Sequence, residues 1–566
     1  MKFSQMKYVH PDIEETKEKI EKLIERFNSA QSFDEADSVY AEYDKLSDNI
    51  MTLYTLVYIR HSINTLDEYY AAEQEFMDNN LPVVNESMQK MNDAFLKGKF
   101  RKNFEEKYGE LLFINSEMAL KTFSPEIIED LQEENRLATE YEKLLASAQI
   151  EFDGKILTIP QLLPYKQGAD DEVRLAAWTA EGNFYKKNKA ELDRLYDELT
   201  HLRDKMGRKL GYDGFTELGY YRMTRNSYTK EDVAKFREAV VKYLVPIADK
   251  IYRAQAKRIG KPYPLNYADA ALMFRSGNAV PCGTSDDILA HAKKFYNELS
   301  PETSEFIDFM YENELFDVLS KKGKENGGYC TEIPDYKAEF IFANFNSTAD
   351  DVETMTHEAG HAFAGYTARN IYPGALRNPS LESCEIHSMS MEFFAWKWAE
   401  GFFGEQTEKF KYQHLAGALK FIPYGTMVDH FQHIVYEHPE YTPAQRDGEW
   451  RKLSAIYMPW LKLGEIPFWG DGCAWQRQHH IYSSPFYYID YCLAQTVALE
   501  FWSLMQTDYD EAWRAYLRLV SLAGTKKFTE LVKAAGLESP FDENALRGVC
   551  TTCAEWLDKF DESKLT

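Results

Sequence analysis

One pentapeptide restricts this chain more than any other stretch: His357-Glu358-Ala359-Gly360-His361, inside the run from Asp351 to Arg369. The mixed apolar and polar texture of that run reads as a helix. Thr348, followed three residues later by Asp351, supplies an N-terminal capping pattern. Side chains four apart on a helix share a face, about 6 Å apart along the axis. Two imidazoles so placed can close on one ion at about 2.0–2.1 Å. Glu358 falls about 100° round from His357, beside the ion and outside its tetrahedron. A carboxylate in that position can take a proton from water at the metal, which is the geometry of a hydrolase.

Two histidines leave a catalytic zinc one protein ligand short, so the motif predicts a further ligand elsewhere. The loop Asn370 to Ser380 carries Pro373, Gly374 and Pro379, which should end the first helix and turn the chain. Ser380 can then cap a second helix from Leu381 to about Glu400. Its first turns present Glu382, Glu385 and Glu392, and an antiparallel return brings them past the histidines; spacing alone does not choose among the three. Glu358 and His361 also form an ExxH pair, the unit of di-iron bundles. Such a site needs a second ExxH on another helix, and the sequence has none. Zinc, one ion per chain, is therefore favoured. His387, His430, His433 and His438 read as surface or core groups without a catalytic part.

Composition narrows the function classes. Of 566 residues, 44% are hydrophobic and 28% charged, an ordinary globular balance. A formal net charge of −26 argues against nucleic acid or an anionic membrane as partner, since both repel an acidic surface. Met1 to Phe27 is charged almost throughout and has no apolar core, so no secretory signal is read. No run reaches the roughly 18 apolar residues of a membrane span. Seven scattered cysteines do not form a disulfide framework, which points to a reducing cytoplasm. Cys550 and Cys553 have CxxC spacing, but a single such pair near the end of a helical tail reads as inert.

By pattern the chain is predominantly helical. Glu14 to Phe27, Phe33 to Met77, Pro82 to Gly98 and Pro125 to Phe152 are expected as helices, with Gly or Pro only at the joints. Asp153-Gly154 between short apolar runs predicts a small hairpin with a strand at Ile156 to Ile159, and a lobe boundary near residue 170. Helices resume at Asp171 and run to Leu210. The aromatic-rich stretch Gly211 to Arg225 reads as core rather than channel wall. Helices follow from Ser285 to Lys322. Gly327 to Thr331 and Ala338 to Phe345 read as two strands joined through Pro334-Asp335, a small sheet beside the zinc helix. The second strand is expected to hold an extended peptide by main-chain pairing. In Trp469 to Tyr491, Gly470 and Gly472 precede His479, His480, Tyr482, Tyr487, Tyr488 and Tyr491. That order suggests a loop closing over substrate with donors for an oxyanion.

Together these runs resemble a known family, the oligoendopeptidase F and thimet oligopeptidase group of zinc metallopeptidases, in its Pz-peptidase-like branch. The resemblance rests on Gly327-Gly328-Tyr-Cys-Thr, Phe340 to Asn346, HEAGH, Glu385 to Glu392, and His479 to Tyr488. It covers about Gly327 to Tyr491, the N-terminal part matching only in helical style. It implies zinc ligands at His357, His361 and Glu385, and a general base at Glu358. Substrate-facing groups are implied at His480, Tyr488 and Tyr491, with Tyr482 and Tyr487 left open. Thimet-type members carry a glycine-rich stretch where this chain has Ser483-Ser484-Pro485. The implied fold is an all-α, neurolysin-like two-lobed ellipsoid with a deep central channel, an N-terminal lobe of residues 1–170 and a catalytic lobe of 171–566. The implied activity is zinc-dependent cleavage of internal bonds in short unfolded peptides. A zinc carboxypeptidase of related helical fold, and an inactive peptide-binding helical protein, are the rival readings. None of these features sets an oligomeric state.

Overall fold

Side-chain caps start the first long helices. Asp12 accepts from the Glu15 amide, Ser32 from that of Glu35, and Asp67 from those of Tyr69 and Tyr70. The helices they open are Ile13–Ser29, Phe33–Ile63 and Glu68–Lys97. The computed structural model describes residues 1–321 and 323–565. The break expected between Met77 and Pro82 lies instead at Asn64 to Asp67, and Pro82 sits inside the third helix. Its missing amide is tolerated because Met77, Pro82, Val84, Met91 and Phe95 are all buried. Tertiary burial outweighs the local propensity there.

The predicted hairpin forms from β1 (Ile150–Phe152) and β2 (Lys155–Leu157), paired antiparallel. Asp153 and Gly154 at its turn have φ of 51° and 71°, the left-handed pair that a two-residue hairpin turn requires. The strand is shorter than expected, because Ile159 already opens the next helix. In the aromatic stretch after Gly211, Phe215 and Tyr220 are buried in the main core.

A second sheet holds three strands, β3 (Phe316–Leu319), β4 (Tyr329–Ile333) and β5 (Ala338–Phe345), in the order β3-β5-β4. β3 lies where a helix was expected, since the helix Pro301–Glu312 ends early and Glu314 turns with φ 55°. Lys322, the expected end of that helix, lies outside the described residues. β5 runs parallel to β3 and antiparallel to β4, so both its edges are occupied. It cannot take an added peptide strand; the outer strands are β3 and β4, and of the two it is β4 that borders the main cavity.

From β5 the chain turns directly into the paired-histidine helix, Ala349–Ala368. Its start is held differently from a simple capping box. The Asp351 carboxylate accepts from the amides of Asn346 and Ser347, both at 2.8 Å, and the Thr348 hydroxyl donates to Asn346 Oδ1 at 2.7 Å. The glutamate helix is Leu381–Phe394; Ala395–Trp398 then tightens to a 3-10 turn before Ala399–Phe403. It packs against both the paired-histidine helix and the tyrosine helix, Tyr488–Met505. Gly360 sets the first crossing. A Cβ at that position would stand 2.7 Å from Ser388 Cα and 2.8 Å from His387 O. Cys550 and Cys553 are buried in the core on the helix Glu543–Asp558.

A cavity of about 1300 Å³ lies beside this crossing. Tyr40, Met51 and Asn92 of the N-terminal helices line it on one side. His357, Glu385 and His480 line it on the other. The result is a predominantly helical molecule with one small sheet next to the paired-histidine helix.

Candidate metal centre

The helix crossing brings three donors together. His357, His361 and Glu385 each place one ligand atom within 4.8 Å of the others. His357 Nε2 lies 3.2 Å, and His361 Nε2 3.4 Å, from Glu385 Oε2. A tetrahedron with metal–ligand bonds of about 2.0–2.1 Å has edges of about 3.3 Å. The donor set therefore fits a zinc ion with one coordination position left for solvent or substrate. Among the described residues it is the one such cluster.

Glu382, the other acid in the first turn of the glutamate helix, points elsewhere. It accepts from Ser380 Oγ at 2.8 Å and, buried near Asp490, has its pKa raised to about 8. Glu392 has a different part, which the sequence reading did not assign. Its Oε1 accepts from His357 Nδ1 and its Oε2 from His414 Nε2, each at 2.7 Å. His414 is fixed in turn by the Trp396 indole N–H, donated to its Nδ1 at 2.9 Å. In the neutral imidazole, with its hydrogen on Nδ1, these hydrogen bonds leave the His357 Nε2 lone pair toward the donor cluster. Burial opposes charge on His357, but the hydrogen bonds to Glu385 and Glu392 override it and lift its pKa well above the imidazole range. Burial likewise raises Glu385, and the two histidines more than reverse that, holding it well below the carboxylate range. Nothing in the sequence distinguishes His414, which lies on another helix, Thr407–Glu437.

Glu358 is 8% exposed and lines the same cavity. Burial raises its pKa, with His357 and His361 pulling the other way. The start of β4 passes beside it: a Cβ at Gly328 would lie 3.6 Å from Glu358 Oε1. The edge strand and this carboxylate therefore face one space.

The four tyrosines separate by role. Tyr482 is core, stacked on Tyr141 with ring centroids 3.9 Å apart and donating to the Leu192 carbonyl. Tyr487 donates to Glu385 Oε1 at 2.5 Å, a contact with the candidate ligand that the sequence left open. Tyr488 packs against His480 at 5.0 Å but lines a second, smaller cavity of about 500 Å³ rather than the first. Tyr491 and His480 line both cavities and mark their junction. Trp469, Trp475 and Tyr482 are buried, so the stretch expected as a mobile loop is packed along much of its length.

A hydrogen-bond relay sets the proton on His480. Tyr424 O–H donates to Gln478 Oε1 at 2.9 Å, which turns the amide N–H₂ toward His480 Nδ1 at 3.0 Å. Nδ1 is then the acceptor, Nε2 carries the hydrogen, and it donates to the Tyr491 oxygen at 3.2 Å. The Tyr491 hydroxyl hydrogen is then shared between the neighbouring Tyr487 oxygen and a group in the cavity. Burial lowers the His480 pKa to about 4 and raises that of Tyr491 well above 10.0, so both stay neutral donors near pH 7.

Known proteins share both sequence and fold with this chain. Residues 3–123 match the Peptidase M3 N-terminal domain and residues 301–550 match Peptidase family M3. A solved structure assigned to oligoendopeptidase F is 45% identical with a TM-score of 0.98, each chain covering 100% of the other. The chain belongs to peptidase family M3. A structure of Pz peptidase A with an inhibitor is 44% identical, again with a TM-score of 0.98 and full coverage of both chains. The match to Oligopeptidase PepF of Bacillus subtilis (strain 168) is 22% identical over 260 residues, 44% of this chain and 38% of that protein. No helix of the described residues is long and apolar enough to cross a membrane.

Proposed function

We propose that this chain is a zinc-dependent oligoendopeptidase of short, unfolded peptides. The observation that carries the reading is the trio His357, His361 and Glu385 at tetrahedral separation on the wall of a peptide-sized cavity. His357 Nε2, His361 Nε2 and the Glu385 carboxylate would hold one zinc ion. Bound there, it supplies Lewis-acid polarisation of a water and of the scissile carbonyl.

The chain's own residues do the rest. β4 offers backbone groups to an extended peptide along its free edge, which a folded protein cannot present. Glu358, beside that edge and raised by burial, accepts the proton of the attacking water and later delivers it to the leaving amine. Tyr491, oriented by His480 through the relay from Gln478, turns its hydroxyl hydrogen from Tyr487 to the oxyanion of the tetrahedral intermediate. Tyr488 supports His480 through ring packing and is assigned no direct contact with the reacting carbonyl. Tyr487 holds Glu385 in place.

Residues 1–170 are assigned to an N-terminal helical lobe and 171–566 to the catalytic lobe. The seven thiols, none in a disulfide, suit a reducing compartment, and we assign the chain to the cytoplasm.

The test is a Glu358→Gln variant assayed with short quenched peptides and a folded protein, alongside zinc content. The expected outcome is one zinc per chain in both forms, with turnover of short peptides lost in the variant by a factor of about 10³ or more. Normal turnover by the variant overturns the assignment of the base. A peptide blocked at both ends, used at saturation, separates the rivals: internal cuts support the endopeptidase, and no cutting supports a carboxypeptidase.

A further inference from the structure

Phe486 is a strained residue directly behind the site. It sits between the short helix His479–Ser483 and the tyrosine helix, and its φ of 68° is left-handed. A bulky side chain adopts that backbone only where its surroundings enforce it. The Phe486 amide donates to Gln432 Oε1 at 2.9 Å, and its carbonyl accepts from Arg225 Nη2. Its ring is pressed onto the backbone of Gly219, where a Cβ would stand 2.6 Å from Phe486 Cδ2. The chain then enters the site itself, first at Tyr487, which donates to Glu385 Oε1, and one turn later at Tyr491.

Arg225 is a poor choice if stability alone is served. Its side chain is fully buried, as is that of its ion-pair partner Asp490, whose Oδ1 accepts from the same Nη2 at 2.8 Å. Among the described residues its Nε and Nη1 have no acceptor, and the Tyr220 and Tyr228 rings face the guanidinium at 4.4 and 5.6 Å. Arg203 makes the contrast. Equally buried, it engages all three nitrogens, on Glu134, Tyr436 and the carbonyls of Ile481 and Tyr482. Replacing a buried ion pair by apolar residues of similar volume is often neutral or stabilising, the more so where donors are left unused. What Arg225 does achieve is geometric. One nitrogen bridges Phe486 O and Asp490 Oδ1, and so pins the chain on both sides of Tyr487 and Tyr488.

We propose that Arg225 is a positioning residue for peptide hydrolysis, fixing the turn at Phe486 so that Tyr487 stays on Glu385 and Tyr491 stays in reach of the reacting carbonyl. The proposal rests on the oligopeptidase reading and adds to it a residue that lines neither cavity. Tyr487 occupies Glu385 Oε1, which leaves Oε2 toward the two histidines. Once the grip on Phe486 is released, its φ relaxes toward negative values. Only Ser484 to Tyr487 separate the two helices, so the rotation passes directly into the first turn of the tyrosine helix. A displacement of about 1 Å near the chemistry costs about 100-fold in rate, and loss of an outer hydrogen-bond partner about 10–100-fold in metal affinity.

The experiment sets Arg225→Met against Arg174→Met. Arg174 is also fully buried, but it holds the carbonyls of Gly168 and Ala268, away from both cavities. The double variant Arg225→Met/Asp490→Asn leaves no bare carboxylate and serves if the single variant does not fold. With zinc-loaded protein and a short quenched peptide, the Arg225 variants are expected to lose about 100-fold in kcat with KM within about threefold, and Arg174→Met to keep the parent kcat. Zinc affinity by chelator competition should fall at least about tenfold in the Arg225 variants and stay at the parent value in Arg174→Met. Arg225→Lys, whose ammonium has donors for both oxygens, should recover most of kcat. A kcat in the Arg225 variants equal to that of Arg174→Met, or a zinc affinity equal to the parent's, overturns the proposal. Absence of cleavage by the unaltered protein counts against the hydrolytic reading alone, since the zinc affinities still decide the role of Arg225.

Discussion

Replacing Gly360 by alanine sets two effects of opposite sign against each other. In an unconstrained helix the change stabilises by about 1 kcal/mol, because glycine loses more backbone freedom on folding. Here the new methyl would sit 2.7 Å from Ser388 Cα, 2.8 Å from His387 O and 3.0 Å from Met391 Cβ. Carbon atoms rest at about 3.5–4.0 Å, so the two helices must part by roughly 1 Å. Overpacking of this kind costs about 1–3 kcal/mol, which offsets the propensity gain and leaves a small net loss of stability. The larger effect falls on the donor cluster. Glu385 rides on the helix that is pushed away, and its 3.2 and 3.4 Å separations from the two histidines would open beyond the roughly ±0.2 Å a metal site tolerates. Zinc affinity is expected to fall by about 100-fold, measured by competition with a chromophoric chelator, while thermal unfolding of the metal-free protein shifts little. Gly448→Ala is the control: that helical glycine has nothing within 4 Å, so the variant should match or exceed the parent in stability with zinc affinity unchanged. Wild-type zinc affinity in Gly360→Ala would refute the claim that this contact positions the third ligand.

Two further perturbations test the shell around the site. Glu392→Gln replaces a carboxylate that accepts from both His357 and His414 by an amide with one acceptor oxygen. Zinc affinity should drop about 10–100-fold with little change in helix content; an unchanged affinity by the same chelator assay would remove Glu392 from the site. Glu142, on the cavity wall, has its pKa raised from 4.5 to about 7 by burial and by the nearby Glu325 and Asp78. A raised carboxyl means the folded state holds the proton more tightly than the unfolded one. Its contribution is thus most favourable below pH 4.5 and is lost as pH climbs through about 7. Glu142→Gln should therefore stabilise the protein at pH 8, by about 1–3 kcal/mol, and leave it unchanged at pH 4.5 in denaturant titrations. Equal effects at both pH values would count against a half-buried, proton-holding Glu142.

Much of the site was legible in one dimension because a helix is a rigid ruler. The four-residue interval between His357 and His361 fixes a shared face, and the turn residues Pro373, Gly374 and Pro379 fix a return. The hairpin was equally readable, since Asp153-Gly154 can both adopt the left-handed backbone. Where sequence expectations missed, the deciding contact was distant. Pro82 stays inside a helix because its neighbours are buried, and β3 exists only because β5 pairs with it. β5 itself reads as a good edge strand until both partners are in place.

The amino-acid order alone thus determined a helical chain with a two-histidine face, an acid beside it and three glutamates on a following helix. It could not choose among Glu382, Glu385 and Glu392, because all three lie on that helix and only its approach angle, set at Gly360, decides which one meets the histidines. Nor could it find His414 or Gln478. Their significance comes from partners on other helices, 18 and 22 residues away for His414 and 54 for Gln478, and hydrogen bonds are properties of neighbours in space, which only the packed helices bring together.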